Sequence, residues 1–95
     1  MAEPIFEIEI TIKNADGLHM RPAMQFVDVA SKFGSDIKVS NEDTSVDAKS
    51  IMQMTMLAAT FGTKLKVRAE GSDAQEATEA IRHLVEEKLF DETPG

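Results

Sequence analysis

The 95-residue chain predicts an α+β fold of order βαββαβα, an open-faced two-layer sandwich in which three helices cover one face of a four-stranded sheet. Three observations lead there. Apolar residues alternate with polar ones over strand-length segments; two other segments carry apolar stripes at helical spacing and a third opens with a capping-box pattern; no repeat, linker or low-complexity stretch divides them.

The first strand follows from Phe6, Ile8, Ile10 and Ile12, interleaved with Glu7, Glu9, Thr11 and Lys13, as in a strand buried on one side. Asn14-Ala15-Asp16-Gly17 reads as a turn. From Met20 to Phe33 the residues Ala23, Phe26, Val27 and Ala30 fall at i, i+3, i+4 and i+7, so a first helix buries that stripe and Gly34 ends it as the C′ residue. Ile37 and Val39 form a short strand, Asn41-Glu42-Asp43 a turn, and Val46 with Ala48 the returning strand of a hairpin. Ser50-Ile51-Met52-Gln53 has the S-x-x-Q form of a capping box, with Ser50 as N-cap of a short helix reaching about Ala59. Leu65, Val67 and Ala69 alternate with Lys64, Lys66, Arg68 and Glu70 in a fourth strand between Gly62 and Gly71. Ser72-Asp73-Ala74-Gln75 repeats the S-x-x-Q start, and Ala77, Ala80, Ile81, Leu84 and Val85 make the buried stripe of a last helix from Asp73 to about Leu89. The domain is expected to span 1–90, leaving 91–95 as a disordered tail.

Composition narrows the function. Forty-two per cent apolar residues fill one modest core, which leaves no room for a catalytic domain plus a regulator. No cysteine is present, so neither disulfides nor thiolate metal sites enter the argument. No apolar run approaches membrane-spanning length and the first thirteen residues alternate, unlike a signal peptide, so a soluble cytoplasmic protein without membrane insertion is expected. A net charge of −7 with scattered Lys and Arg argues against nucleic acid. Five phenylalanines, several of them at buried-looking periodic positions, with no Tyr or Trp, do not build a stacking platform. Acidity of this kind keeps a protein soluble and monomeric.

The chemistry concentrates in Gly17-Leu18-His19-Met20-Arg21-Pro22. This places a histidine at a loop-to-helix junction, where the first backbone N–H groups lack intrahelical partners and the macrodipole favours negative charge. Pro22 suits the first turn, and Arg21 adds a fixed fork for phosphate oxygens. A neutral imidazole is a good nucleophile toward phosphorus and, once protonated, a good leaving group, as a carrier requires. There is no P-loop, Gly-rich nucleotide loop or candidate Mg²⁺ cluster, and neither a metal nor another cofactor is expected. Such a chain is not expected to use ATP itself and would need a protein donor.

A second element, Asp47-Ala48-Lys49-Ser50-Ile51-Met52, lies at a distance that does not follow from the first. Together, with Arg21-Pro22-Ala23 and Gln25-Phe26-Val27, they resemble the histidine-containing phosphocarrier (HPr) family of the bacterial phosphoenolpyruvate-dependent sugar phosphotransferase system, a likeness running from Ile5 to about Leu89. The resemblance implies an antiparallel sheet in spatial order 1-4-2-3. It implies that His19 accepts a phosphoryl group from phosphorylated enzyme I, on Nδ1, and hands it to sugar-specific enzyme II components. Arg21 would steady the phosphate, with the backbone N–H groups of Met20 and Arg21 completing the cradle. Ser50 matches the serine that an ATP-dependent HPr kinase/phosphorylase modifies in many relatives, although a capping role explains a serine there equally well. The family docks partners on an apolar edge that here falls on Met20, Met24, Ile51 and Met52. Of Met20, Met24, Met52, Met54 and Met56, at least two are expected in the core, where methionine at helical spacing most often serves. His83 reads as a solvated surface residue. Two alternatives stay open: a purely regulatory carrier of a nitrogen-linked pathway, and a small-ligand or RNA-binding module of the same architecture.

Overall fold

Strand β1 (Ile5–Thr11) pairs antiparallel with β4 (Lys64–Glu70) along its whole length, from Ile5 opposite Glu70 to Thr11 opposite Lys64. β4 pairs antiparallel with β2 (Asp36–Ser40), which pairs with β3 (Ser45–Asp47), so the sheet order is β1-β4-β2-β3. This is the 1-4-2-3 antiparallel sheet that the family resemblance implied. The computed structural model describes residues 3–15, 17–57, 59–88 and 90. The expectations for Asp16, for a helix end at Leu89 and for a disordered 91–95 tail fall outside them.

The period-two pattern works as physics requires: Leu65, Val67 and Ala69 are buried while Lys64, Lys66, Arg68 and Glu70 face water. Ile10, Ile37, Val39 and Val46 join them on the covered face. In β1 the stripe fades toward its start, since Ile10 is fully buried, Ile8 half-buried and Phe6 exposed. Ile12 is fully buried just past the end of the strand. Helices α1 (Met20–Ala30), α2 (Ile51–Met56) and α3 (Ala74–Arg82) lie over this face, with Ala23, Phe26, Ala30, Met54, Ala77 and Ile81 in the core. Each large side chain so buried contributes about 1.5–3 kcal/mol.

Two helix ends differ from the expectations, and the last helix changes type along its length. α1 stops at Ala30, because Lys32 and Phe33 donate to carbonyls three residues back, Val29 and Ala30, in a tightened last turn. Gly34 is therefore not its C′ residue; its N–H donates to Asp73 Oδ2 at 2.8 Å. The Lys49 ammonium caps that region by donating to the Phe33 carbonyl at 2.7 Å. α2 ends at Met56, short of Ala59, whose carbonyl instead accepts the N–H of Leu18 at 2.8 Å. α3 gives way after Arg82 to a π-helical turn, His83–Glu87, closed by Lys88 N–H on the His83 carbonyl at 2.9 Å. From this turn Glu86 accepts the Thr11 N–H at 2.9 Å, covering a backbone group on edge strand β1.

Candidate functional site

His19 is the N-cap of α1, with extended backbone angles (φ −88°, ψ −165°) and an exposed side chain. Its carbonyl accepts the N–H of Ala23 at 2.9 Å. Pro22 brings no N–H, so the amides of Met20 and Arg21 precede the first i to i+4 donor at the positive end of the helix dipole. Arg21 is exposed in the first turn of the helix and makes no ion pair among the described residues.

The loop before His19 is held more firmly than its turn-like sequence indicated. Leu18 is buried and donates to Ala59, and Gly17 lies against the same segment with φ of +74°. A Cβ at Gly17 would stand 2.6 Å from the Ala59 carbonyl oxygen and 2.9 Å from Thr60 Cα, so the close approach of two backbones admits only glycine. Asn14, also buried, donates from Nδ2 to the Gly17 carbonyl at 2.7 Å. These residues aim His19 without touching chemistry. The Asn14-to-Gly17 turn was legible in the sequence, but its partner at Ala59 and Thr60 lies over forty residues away and left no local signal.

Ser50 caps α2: its Oγ accepts the Gln53 N–H at 3.3 Å. The reciprocal half of the expected capping box is absent, because Gln53 Oε1 accepts from Asp47 N–H at 2.9 Å instead. Between α1 and α2 runs a shallow apolar groove lined by Met20, Met24, Val27, Asp28 and Ile51. Three of the four expected docking residues thus come together. Met52, 78% exposed, lies outside the groove lining.

The expectation of at least two core methionines is corrected. Met54 alone of the five is buried, while Met20, Met24, Met52 and Met56 are all more than half exposed. Met20 and Met24 share a helical face distinct from that of Ala23, Phe26 and Ala30, and a six-residue α2 turns few of its side chains inward.

Away from this end, His83 is exposed as expected, with Nδ1 3.4 Å from Glu87 Oε1. Asp73 accepts from Ser35 Oγ and from the N–H groups of Gly34 and Ser35 at 2.8 and 3.0 Å. The Ser35 hydroxyl first, and then the Gly34 amide, hold its carboxyl below the ordinary aspartate value of 3.8. Among the described residues no group of three or more His, Asp or Glu side chains converges as a metal site would. No described helix is long and apolar enough to cross a membrane.

A family model described as "PTS HPr component phosphorylation site" matches residues 6–87. The chain belongs to the HPr family. It is 44% identical over 86 residues to the phosphocarrier protein HPr of Pseudomonas aeruginosa, covering 90% of this chain and 94% of the relative. Among solved structures it is similar to an HPr from Thermoanaerobacter tengcongensis, with a TM-score of 0.87 and 45% identity over 94% of this chain and 99% of the other. A structure described as an HPr dimer from the same organism matches with a TM-score of 0.71 and 48% identity over 84% and 92% of the two chains. As an HPr, this chain is a phosphocarrier of the phosphotransferase system, and the family works with the enzymes of that system. The ligand-module alternative falls with this membership.

Proposed function

We propose that His19 is the phosphoryl acceptor, taking the group from phosphorylated enzyme I and passing it to sugar-specific enzyme II components. The supporting observation is an exposed histidine at the start of α1, behind a loop that a glycine-only contact holds in place. The Nδ1 lone pair attacks phosphorus; the new N–P bond forms as the donor's bond to phosphorus breaks, and that electron pair leaves with the donor. In onward transfer the acceptor's nucleophile attacks phosphorus, and the imidazole, protonated on its other nitrogen, departs with the N–P electron pair. The Met20 and Arg21 amides and the Arg21 guanidinium hold the phosphate oxygens through hydrogen bonds alone, firmly enough to orient the group and loosely enough to release it.

Incubation with phosphoenolpyruvate and enzyme I, followed by mapping of acid-labile phosphate, tests this. The phosphate is expected on His19. His19→Ala should abolish acceptance while changing stability by less than about 1 kcal/mol, and Arg21→Ala should slow transfer without abolishing it. Acid-labile phosphate still entering the His19→Ala protein would move the site elsewhere.

The groove at Met20, Met24 and Ile51, with Met52 beside it, is the proposed docking surface, and Ser50 a second, regulatory phosphorylation site for an HPr kinase/phosphorylase. A helix N-terminus tolerates added negative charge, so Ser50→Asp should keep the fold and lower transfer by weakening docking, as should Met52→Glu. Unchanged transfer in both would leave Ser50 a cap only. The carrier is proposed to act as a cytoplasmic monomer, a state that the charge of −7 favours and that sedimentation checks. Which acceptor takes up the phosphate distinguishes sugar transport from the nitrogen-linked alternative.

A further inference from the structure

The docking groove carries its own charge order. α1 has two charged side chains, Arg21 and Asp28, seven residues apart and hence on one face, about 10 Å apart along the helix axis. Both are exposed, and Met24 lies between them. Asp28 stands in the wall of the apolar groove with Met20, Met24, Val27 and Ile51, and no lysine or arginine is in that lining. Lys32, four residues on, lies past the end of the helix and lines a different depression with Val29, Phe33 and His83. Among the described residues Asp28 makes no ion pair. A partner closing over this groove takes an unpaired carboxylate out of water, which is unfavourable unless the partner brings a cation to it.

We infer that the phosphoryl donor covers this groove with an apolar surface that presents a lysine or arginine to Asp28, about 13 Å along the helix axis from His19, which receives the phosphoryl group. The inference rests on His19 being the acceptor and adds the chemistry of the donor's contact surface. Cation at the start of the face, methionine in the middle and anion at its end define one docking direction, since a reversed partner would set its cation against Arg21.

The test measures steady-state transfer to the full chain from phosphoenolpyruvate and enzyme I, at low and high salt, for the unsubstituted protein, Asp28→Asn and Asp28→Lys. Asp28 is exposed on a helix, and lysine has the higher helix propensity, so both variants should fold, which circular dichroism verifies. Asp28→Lys should raise KM roughly tenfold at low salt with kcat unchanged, Asp28→Asn should raise it less, and both increases should shrink at high salt. An unchanged KM would place Asp28 outside the contact. A lowered KM in Asp28→Lys would show an acidic donor surface, and either result overturns the inference while leaving His19 as acceptor. Absence of phosphate from His19 of the unsubstituted chain overturns both.

Discussion

Two helix starts carry the same S-x-x-Q letters, at Ser50 and at Ser72, and they spend their polar groups differently. At α2 the serine itself is the N-cap, bonded to Gln53 of its own helix. At α3 the N-cap is Asp73, and its carboxylate reaches across 38 and 39 residues to Ser35 and Gly34. One start is closed locally, beside the apolar groove. The other is a tertiary clamp on the segment that leads into β2, where Gly71 also lies against Ser35. The contrast separates a helix start closed by its own residues from one that ties distant segments of the fold together.

Breaking the clamp should cost most. Gly71 has φ of +154°, and a Cβ there would meet Ser35 Oγ, Cα and Cβ at 2.4 to 2.9 Å, so Gly71→Ala should lower stability by roughly 2–4 kcal/mol in chemical denaturation. A loss below that of a cap substitution would show that the loop yields freely. Asp73→Asn comes next, lowering Tm without touching transfer to His19. The folded-state pKa of Asp73 lies below 3.8, so its contribution is complete above that pH and is lost as pH falls through the depressed value. The variant should therefore show a flatter decline of stability on the acid side, and identical acid limbs would deny the clamp its linkage.

At the other start, Ser50→Ala should remove about 1 kcal/mol, the usual worth of an N-cap, and leave phosphate acceptance unchanged. Ser50→Asp retains the cap, so any fall in transfer then reports docking alone. Smallest is Gln53→Ala, at most about 0.5 kcal/mol, because the bond it breaks is exposed and alanine is the better helix former. A larger loss would mean that the link from Gln53 to Asp47 organises the turn leading into α2.

Legibility in the sequence followed the range of the interaction. The alternation in β4 and the stripe through Ala23, Phe26 and Ala30 record a choice of face repeated at each period, and the structure buries those residues. His19, Arg21 and Pro22 could be placed at a helix start because caps and first turns are local chemistry. The methionines were misjudged because nothing local distinguishes Met54, fully buried, from Met52 and Met56 on the same short helix. Helix ends were also missed where a distant group intervened, as when Ala59 turned its carbonyl to Leu18.

The sequence by itself therefore determined the elements, their buried faces, the helix-start histidine and, through two separated motifs, the family. Tertiary structure alone decided that Gly17 meets the 59–60 backbone, that Asp73 serves Ser35 instead of its own helix, and that Asp28 shares a groove with Met20, Met24 and Ile51. The physical reason is distance along the chain. Periodicity and capping are set by neighbours within about four residues, whereas close backbone approach and a shared groove depend on how separate elements pack, which no local pattern encodes.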